Sequence, residues 1–231
     1  MNEYKVTVMS KGLLKDGIMK ITTGIVLMGL LLFLPAGTLR WTDGWLLMAI
    51  LFVPMFFAGV LMYFKAPDLL KSRLSAKETQ SEQKDVIRYS GLMFIAAFVI
   101  AGLNYRLQWI MMPRAIVWIG VVIFLLAYCF FGEVLRENRY LSRTIEVQDG
   151  QTVVDTGLYG IVRHPMYTAT VLLFLSMPLV LNSIISFVIM LVYIPIIVKR
   201  IKNEEEVLET ELKGYKEYKQ KVRYRLIPFI W

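Results

Sequence analysis

The chain has 231 residues, of which 57% are hydrophobic and only 19% charged, and its mean hydropathy is +0.56. An average soluble domain carries about 25% charge, and an intrinsically disordered chain needs low hydrophobicity, so both classes are excluded. A single cysteine, Cys129, and a single histidine, His164, rule out an internal disulfide, a multi-thiolate metal site and a multi-histidine metal site.

The apolar residues come in blocks with the charges between them, the pattern of a polytopic membrane protein. The first twenty residues carry Lys5, Lys11, Lys15 and Lys20 but no cleavage-like site. The charge-free block 21–39 that follows is too long for a signal h-region and reads as a retained span. The second span is 45–64, with Pro54 inside it. A polar connector over 65–88 reads as partly helical and lying on the membrane surface. The third span runs from about 89 to 105 and the fourth from 115 to 132. Trp41, Trp45 and Trp109 sit at block edges, as interfacial aromatics do. The last apolar block, 168–198, exceeds the roughly 20 residues of one span. It breaks at Asn182-Ser183 into two arms of about fifteen residues, which predicts a helical hairpin rather than one long tilted helix.

The distribution of Lys and Arg orients these spans. The N-terminus holds 4, residues 65–88 hold 6, residues 132–167 hold 4 and the tail from Lys199 holds 9. The two remaining loops hold only Arg40, Arg106 and Arg114. With a terminal hairpin, all four rich segments fall on one side, and the positive-inside bias makes that side cytoplasmic, with both termini. The expected fold is therefore all-α: about four N-terminal spans and then a C-terminal transmembrane hairpin. We divide it into 1–112, spans and a cytoplasmic loop, and 113–231, a core with the site and the tail.

Chemistry concentrates in two places. Asp149-Gly150-Gln151-Thr152-Val153-Val154-Asp155-Thr156-Gly157 is turn-rich with a short β-like run, and leads into Leu158-Tyr159-Gly160-Ile161-Val162-Arg163-His164-Pro165-Met166-Tyr167. Pro165 suits the first turn of a helix, where a missing N–H costs little. Arg163 and His164 at such a membrane entrance serve equally as anchors to lipid phosphate. The second place is Lys199-Arg200-Ile201-Lys202-Asn203-Glu204-Glu205-Glu206, which taken alone is a solvated helix with pairs such as Arg200 with Glu204. The hairpin brings this run back beside Arg163-His164-Pro165, so three carboxylates face an Arg and a His. The tail closes on Tyr224-Arg225-Leu226-Ile227-Pro228-Phe229-Ile230-Trp231, too short to span, and is expected over the site or at the interface. There is no dinucleotide fingerprint, Walker A, zinc-protease motif or nucleophile elbow. The basic residues form no aromatic-interleaved platform for nucleic acid.

Residues 157–167 resemble the G-P-Y-x-x-V-R-H-P-x-Y-x-G motif of the isoprenylcysteine carboxyl methyltransferase and phospholipid methyltransferase superfamily. Residues 200–208 are similar to its R-I-x-x-E-E-x-x-L motif, and Gly214-Tyr215-Lys216-Glu217-Tyr218 with Val222 resembles the element after it. Asn138, Ser142 and Thr152-Val153-Val154 fit the lead-in. The resemblance covers about 130–231. The sequence departs from the pattern at Leu158 (usually Pro), at Ala169 (usually Gly) and at Gly214, about one residue off the usual spacing, with Leu212 where Phe is common. The resemblance implies S-adenosylmethionine at the cytoplasmic ends of the last spans. It implies a cofactor pocket of Tyr159, Arg163, His164, Pro165 and Tyr167 on one side and Glu204 and Glu205 on the other. Arg163 would orient an acidic acceptor, or Glu205 would take a proton from an amine. The acceptor would be a lipophilic small molecule entering from the membrane lipids, with no metal. NADPH-dependent reductases of sterol-like double bonds resemble the same half, including the tail at 224–228, but tend to carry an Arg/Asp-type pattern where this chain has Glu204-Glu205. A non-enzymatic membrane protein is the third possibility. Spans nearly free of charge weaken its transporter version.

Overall fold

The computed structural model describes residues 2–75, 81–138, 140–141, 145 and 147–231. The expected feature at Ser142 and part of the 65–88 connector lie outside the described residues. The described residues contain helices and no strand: α1 Asn2–Ala36, α2 Thr42–Lys65, α3 Pro67–Ser75, α4 Ser81–Leu107, α5 Arg114–Glu137, α6 Pro165–Val180, α7 Ile184–Met190, α8 Tyr193–Glu211 and α9 Tyr215–Lys221. The β-like run at 152–154 is extended chain without a partner strand.

Among the described residues, five stretches are long and apolar enough to cross a membrane: Gly12–Ala36, Thr42–Lys65, Lys84–Leu107, Arg114–Glu137 and Ile184–Glu211. α6 has 16 residues and rises only about 24 Å, short of the roughly 30 Å hydrocarbon core. It forms the short arm of the expected hairpin. The turn falls at the expected place, because Asn182 tolerates a left-handed backbone (φ 57°) and the Ser183 side chain caps α7 by accepting from the Ser186 N–H. The return arm is not one straight rod. It is interrupted at Leu191–Val192 between α7 and α8, where Pro195 lacks an N–H for the Leu191 carbonyl and crowds it.

Elsewhere sequence chemistry sets the ends and the crossings. α1 stops at Gly37, whose positive φ of 68° lets its N–H reach back to the carbonyl of Phe33. A Cβ on Gly102 would lie 2.6 Å from the Leu32 carbonyl oxygen, and one on Gly120 would lie 2.8 Å from the Leu179 Cβ. These two glycines let α4 approach α1 and α5 approach α6, the usual means of tight helix packing in lipid.

The polar contacts define two ends. At one end α1 meets α3 through a hydrogen bond from Lys20 to the Leu74 carbonyl, and the Arg73 guanidinium lies over the Phe131 ring of α5. The N-terminus of α6 and the C-terminal part of α8 are at this same end. At the far end the hairpin tip is tied down. Asn104 donates to the Asn182 carbonyl at 3.2 Å, and the Met112 N–H donates to the Asn182 side chain at 2.6 Å. One expectation is corrected here. Trp41 is not an interfacial aromatic: it is 0% exposed, stacked on Tyr105 at 5.1 Å and edge-on to Phe33. The absence of a side chain on Gly44 makes room for its ring. Asp43, in the first turn of α2, is buried and paired with Arg114 at 2.5 Å.

Candidate functional site

The cleft is built at the first end, where α6 begins. Pro165 is the first residue of α6 and His164 its cap, so Arg163 and His164 are delivered at a helix start by the preceding 3-10 turn, Gly157–Gly160. Glu137, at the end of α5, secures that turn by accepting from the Leu158 N–H at 2.9 Å. Proline, the usual residue at 158 in the motif, has no such hydrogen. Gly157 (φ 51°) leaves space for the same carboxylate, since a Cβ there would lie 1.7 Å from a Glu137 oxygen.

α8 supplies the opposite wall. Arg163 Nε donates to Glu205 Oε1 at 2.7 Å, and both side chains are only 3% exposed. His164 Nε2 lies 3.2 Å from the same oxygen, and its Nδ1 is 3.8 Å from Glu204 Oε1. A residue that sequence reasoning did not assign completes the cluster: Arg225 of the tail donates from Nε to Glu205 Oε2 at 2.9 Å. Arg163 is committed further, with Nη1 donating to the carbonyls of Val222 and Arg223. The backbone N–H groups of Arg163 and His164 donate to the carbonyls of Tyr224 and Arg225, both at 2.9 Å. The Thr168 hydroxyl donates to the Leu226 carbonyl. The tail is thus strapped across the site.

Glu204 faces a different partner. The Tyr167 hydroxyl donates to Glu204 and accepts from Arg200 Nε at 2.9 Å. Arg200 and Glu204, expected as an i,i+4 pair, therefore converge on one phenol. The His164 ring stacks on the Tyr167 ring at 5.7 Å. Glu206 is exposed: adjacent helical residues diverge by about 100°, so it leaves the site. The expected trio of facing carboxylates is a pair.

Of the sequence-assigned residues, Tyr159, Arg163, His164, Tyr167 and Glu204 line one open cleft, together with Arg200, Tyr215 and Tyr218. Glu205 lies behind this wall rather than along the opening, and Pro165 acts through the helix start. The recess leaves about 100 Å³ of room, enough for several waters, and is open on one side. Tyr159 is held by Tyr218, whose hydroxyl donates to the Tyr159 carbonyl at 2.7 Å. Burial pushes the Tyr159 phenol up to about 12 and raises Tyr215 and Tyr218 further, so all three remain O–H donors at neutral pH. The Tyr215 hydroxyl is buried and has no hydrogen-bond partner among the described residues. An orphaned buried donor on a cleft wall is costly and marks a place for a ligand acceptor atom. The signal for Tyr215 and Tyr218 was present in the 214–218 motif. The tail holding Arg225 was expected over the site, but nothing in the sequence marked Arg225 as the partner of Glu205 or set Glu137 apart from other charges.

The Isoprenylcysteine carboxyl methyltransferase (ICMT) family model matches residues 118–210, which run from the first half of α5 to the last turn of α8. This part of the chain is similar to isoprenylcysteine carboxyl methyltransferase-type membrane proteins. Delta(14)-sterol reductase TM7SF2 of Mus musculus is 29% identical to it over 91 residues, covering 38% of this chain and 22% of that protein. The chain therefore spans less than a quarter of the length of this curated relative. The ICMT-type segment contains every residue assigned to the cleft from sequence, whereas Tyr215, Tyr218 and Arg225 lie beyond its end.

Proposed function

We propose that this protein is an S-adenosylmethionine-dependent methyltransferase acting on a lipid-like or isoprenylated acceptor at the membrane boundary. The observation that carries the reading is a cleft lined by Arg163, His164, Glu204 and Tyr215, the last with a buried hydroxyl that has no partner among the described residues, inside and next to an ICMT-type segment. The residues present fit the cofactor. A carboxylate suits a positively charged sulfur, an amino group or ribose hydroxyls, and buried phenols suit the edges of a purine. When bound, the cofactor supplies a methyl carbon on a sulfonium, and the acceptor takes it in line.

The chain's own part is alignment and exclusion of water. Glu204, held through Tyr167 and Arg200, presents its charge to the cleft. Arg163 and Glu205, the residues given the catalytic role from sequence, have bonds that suit holding the wall and strapping the tail. Glu205 already receives Arg163, His164 and Arg225, which leaves it badly placed to take a proton from an amine. A carboxylate acceptor, which needs no base, fits this arrangement better. The apolar surface around α6 gives a lipophilic acceptor a route from the bilayer. The concentration of Lys and Arg on the cleft side supports a cytoplasmic cleft and cytoplasmic termini.

Calorimetric titration of detergent-purified protein tests the reading. S-adenosylhomocysteine is expected to bind, and Glu204→Gln and Tyr215→Phe each to weaken it by about ten-fold, the cost of one lost hydrogen bond to a charged or buried group. A second reading, an NADPH-dependent reductase, is favoured by the similarity to the sterol reductase. Binding of NADP⁺ without S-adenosylhomocysteine would establish it and overturn ours. Lipid extracts incubated with radiolabelled methyl donor identify the acceptor.

A further inference from the structure

The end of the molecule opposite the cleft carries a second concave surface. It is an apolar groove of about 550 Å³, lined by Ile25, Leu30, Phe33 and Leu34 of α1, the turn at Gly37–Leu39, and Trp45 and Met48 of α2. It opens sideways: Leu30, Leu34 and Trp45 are all exposed. Trp45 is fixed at its mouth, with its indole N–H donating to the Leu39 carbonyl at 2.8 Å and its ring 4.7 Å from that of Phe33.

The groove runs along the bilayer normal and ends at positive charge. The loops at this end contain Arg40, Arg106 and Arg114 against one acid, Asp43. Asp43 is consumed by Arg114. Arg106 folds over the turn that closes the groove, with its Nε 3.4 Å from where a Gly37 Cβ would stand. Gly37, left-handed and without a side chain, keeps that guanidinium at the groove's end. Arg40 is exposed three residues on, its N–H held by the Thr38 hydroxyl. Neither Arg40 nor Arg106 has a carboxylate partner among the described residues. Two unneutralised arginines are out of keeping with a face from which positive charge is otherwise depleted. They offer exposed cationic donors beside a surface shaped for hydrocarbon.

We propose that this groove holds one anionic phospholipid of the leaflet opposite the cleft, with an acyl chain along α1 and its phosphate on Arg106 and Arg40. Guanidinium forks match phosphate oxygens bidentately, the groove removes chain methylenes from competition with bulk lipid by shape, and a net-negative headgroup balances the surplus charge where a zwitterionic one does not. The site does not depend on the reaction performed in the cleft.

Native mass spectrometry of protein released from nanodiscs tests this. The wild type is expected to retain one phosphatidylglycerol about ten-fold more strongly than phosphatidylcholine, the worth of one charge-assisted contact. The double variant Arg40→Gln, Arg106→Gln is expected to lose that preference. Leu30→Trp, which fills the groove and leaves both arginines, is expected to lose the bound lipid. Equal retention of the two lipids by the wild type overturns the proposal and needs no variant. So does a double variant that keeps the preference, protection by glycerol 3-phosphate equal to that by the lipid, or a second copy of the chain seated on this face.

Discussion

The two ends of the helical bundle use buried polarity for different purposes. At the far end, Asn104, Asn182 and the Met112 N–H satisfy one another and fasten helix tips. Each of these groups has a partner within the joint, and the result is closed. At the cleft end, the side chains of Arg163, His164, Glu205 and Arg225 are drawn from three separate chain segments, and they fasten a tail across an opening lined by a residue with an unpartnered phenol. Low dielectric makes both joints stringent, because an unmade bond costs more than a made bond gains. At the cleft end a residue that lines the opening, Tyr215, keeps a hydroxyl without a partner among the described residues, and that separates a binding site from this structural joint.

The largest effect that would break this comparison is at Glu205. Glu205→Ala leaves Arg163, His164 and Arg225 around an empty position, and losing one partner of a buried ion cluster costs about 3 kcal/mol or more. We expect a marked fall in thermal stability in detergent, loss of S-adenosylhomocysteine binding, and new proteolytic cleavage after Arg223 or Arg225. A tail that stays protected would show that the backbone bonds to Arg163 and His164 suffice without the carboxylate. A smaller effect is expected at the other end. Asn182→Ala removes the bond that its side chain accepts from the Met112 N–H, leaves its backbone carbonyl to Asn104, and should cost about 1–3 kcal/mol of stability, while calorimetry finds ligand affinity in the cleft within two-fold of wild type, since sites this far apart act independently. A parallel loss of affinity would mean that the two joints are coupled through α6. The smallest effect is at Lys221, whose bridge to Asp155 at 2.7 Å is largely exposed. Lys221 holds the Asp155 carboxyl below its usual range, so any contribution is present at neutral pH and lost as the pH falls through that lowered value. Solvent screening makes it slight, and Lys221→Ala is expected to leave the melting temperature unchanged at pH 7 and at pH 3.5 alike.

Sequence carried much of this arrangement because its signals are local. A charge-free run long enough to cross a bilayer, a proline after the sole histidine, and an Asn-Ser break in an overlong block each specify backbone behaviour within a few residues. The positions of the spans, the hairpin turn and the start of α6 follow from them. Glu204 and Glu205 could be placed beside Arg163 once the hairpin was accepted. Their division of labour could not. Adjacent residues on a helix face directions about 100° apart, and only the packing of α8 against α6 determines that Glu204 meets Tyr167 while Glu205 meets Arg163. Trp41 shows the limit from another side, since an edge position predicts an interfacial ring, yet the gap left by Gly44 and the face of Tyr105 bury it.

By itself, then, the amino-acid order determined an all-helical membrane protein, the position of its re-entrant turn and the residue types available at one membrane face, because hydrophobic length and backbone chemistry act over a few turns of chain. The tertiary structure alone decided that Arg225 closes on Glu205, that Glu137 braces the turn before His164, and that the Tyr215 hydroxyl is left without a partner. Those contacts join residues 20 and 21 positions apart or depend on a neighbour that is missing, and directional bonds between distant residues leave no periodic trace in a sequence.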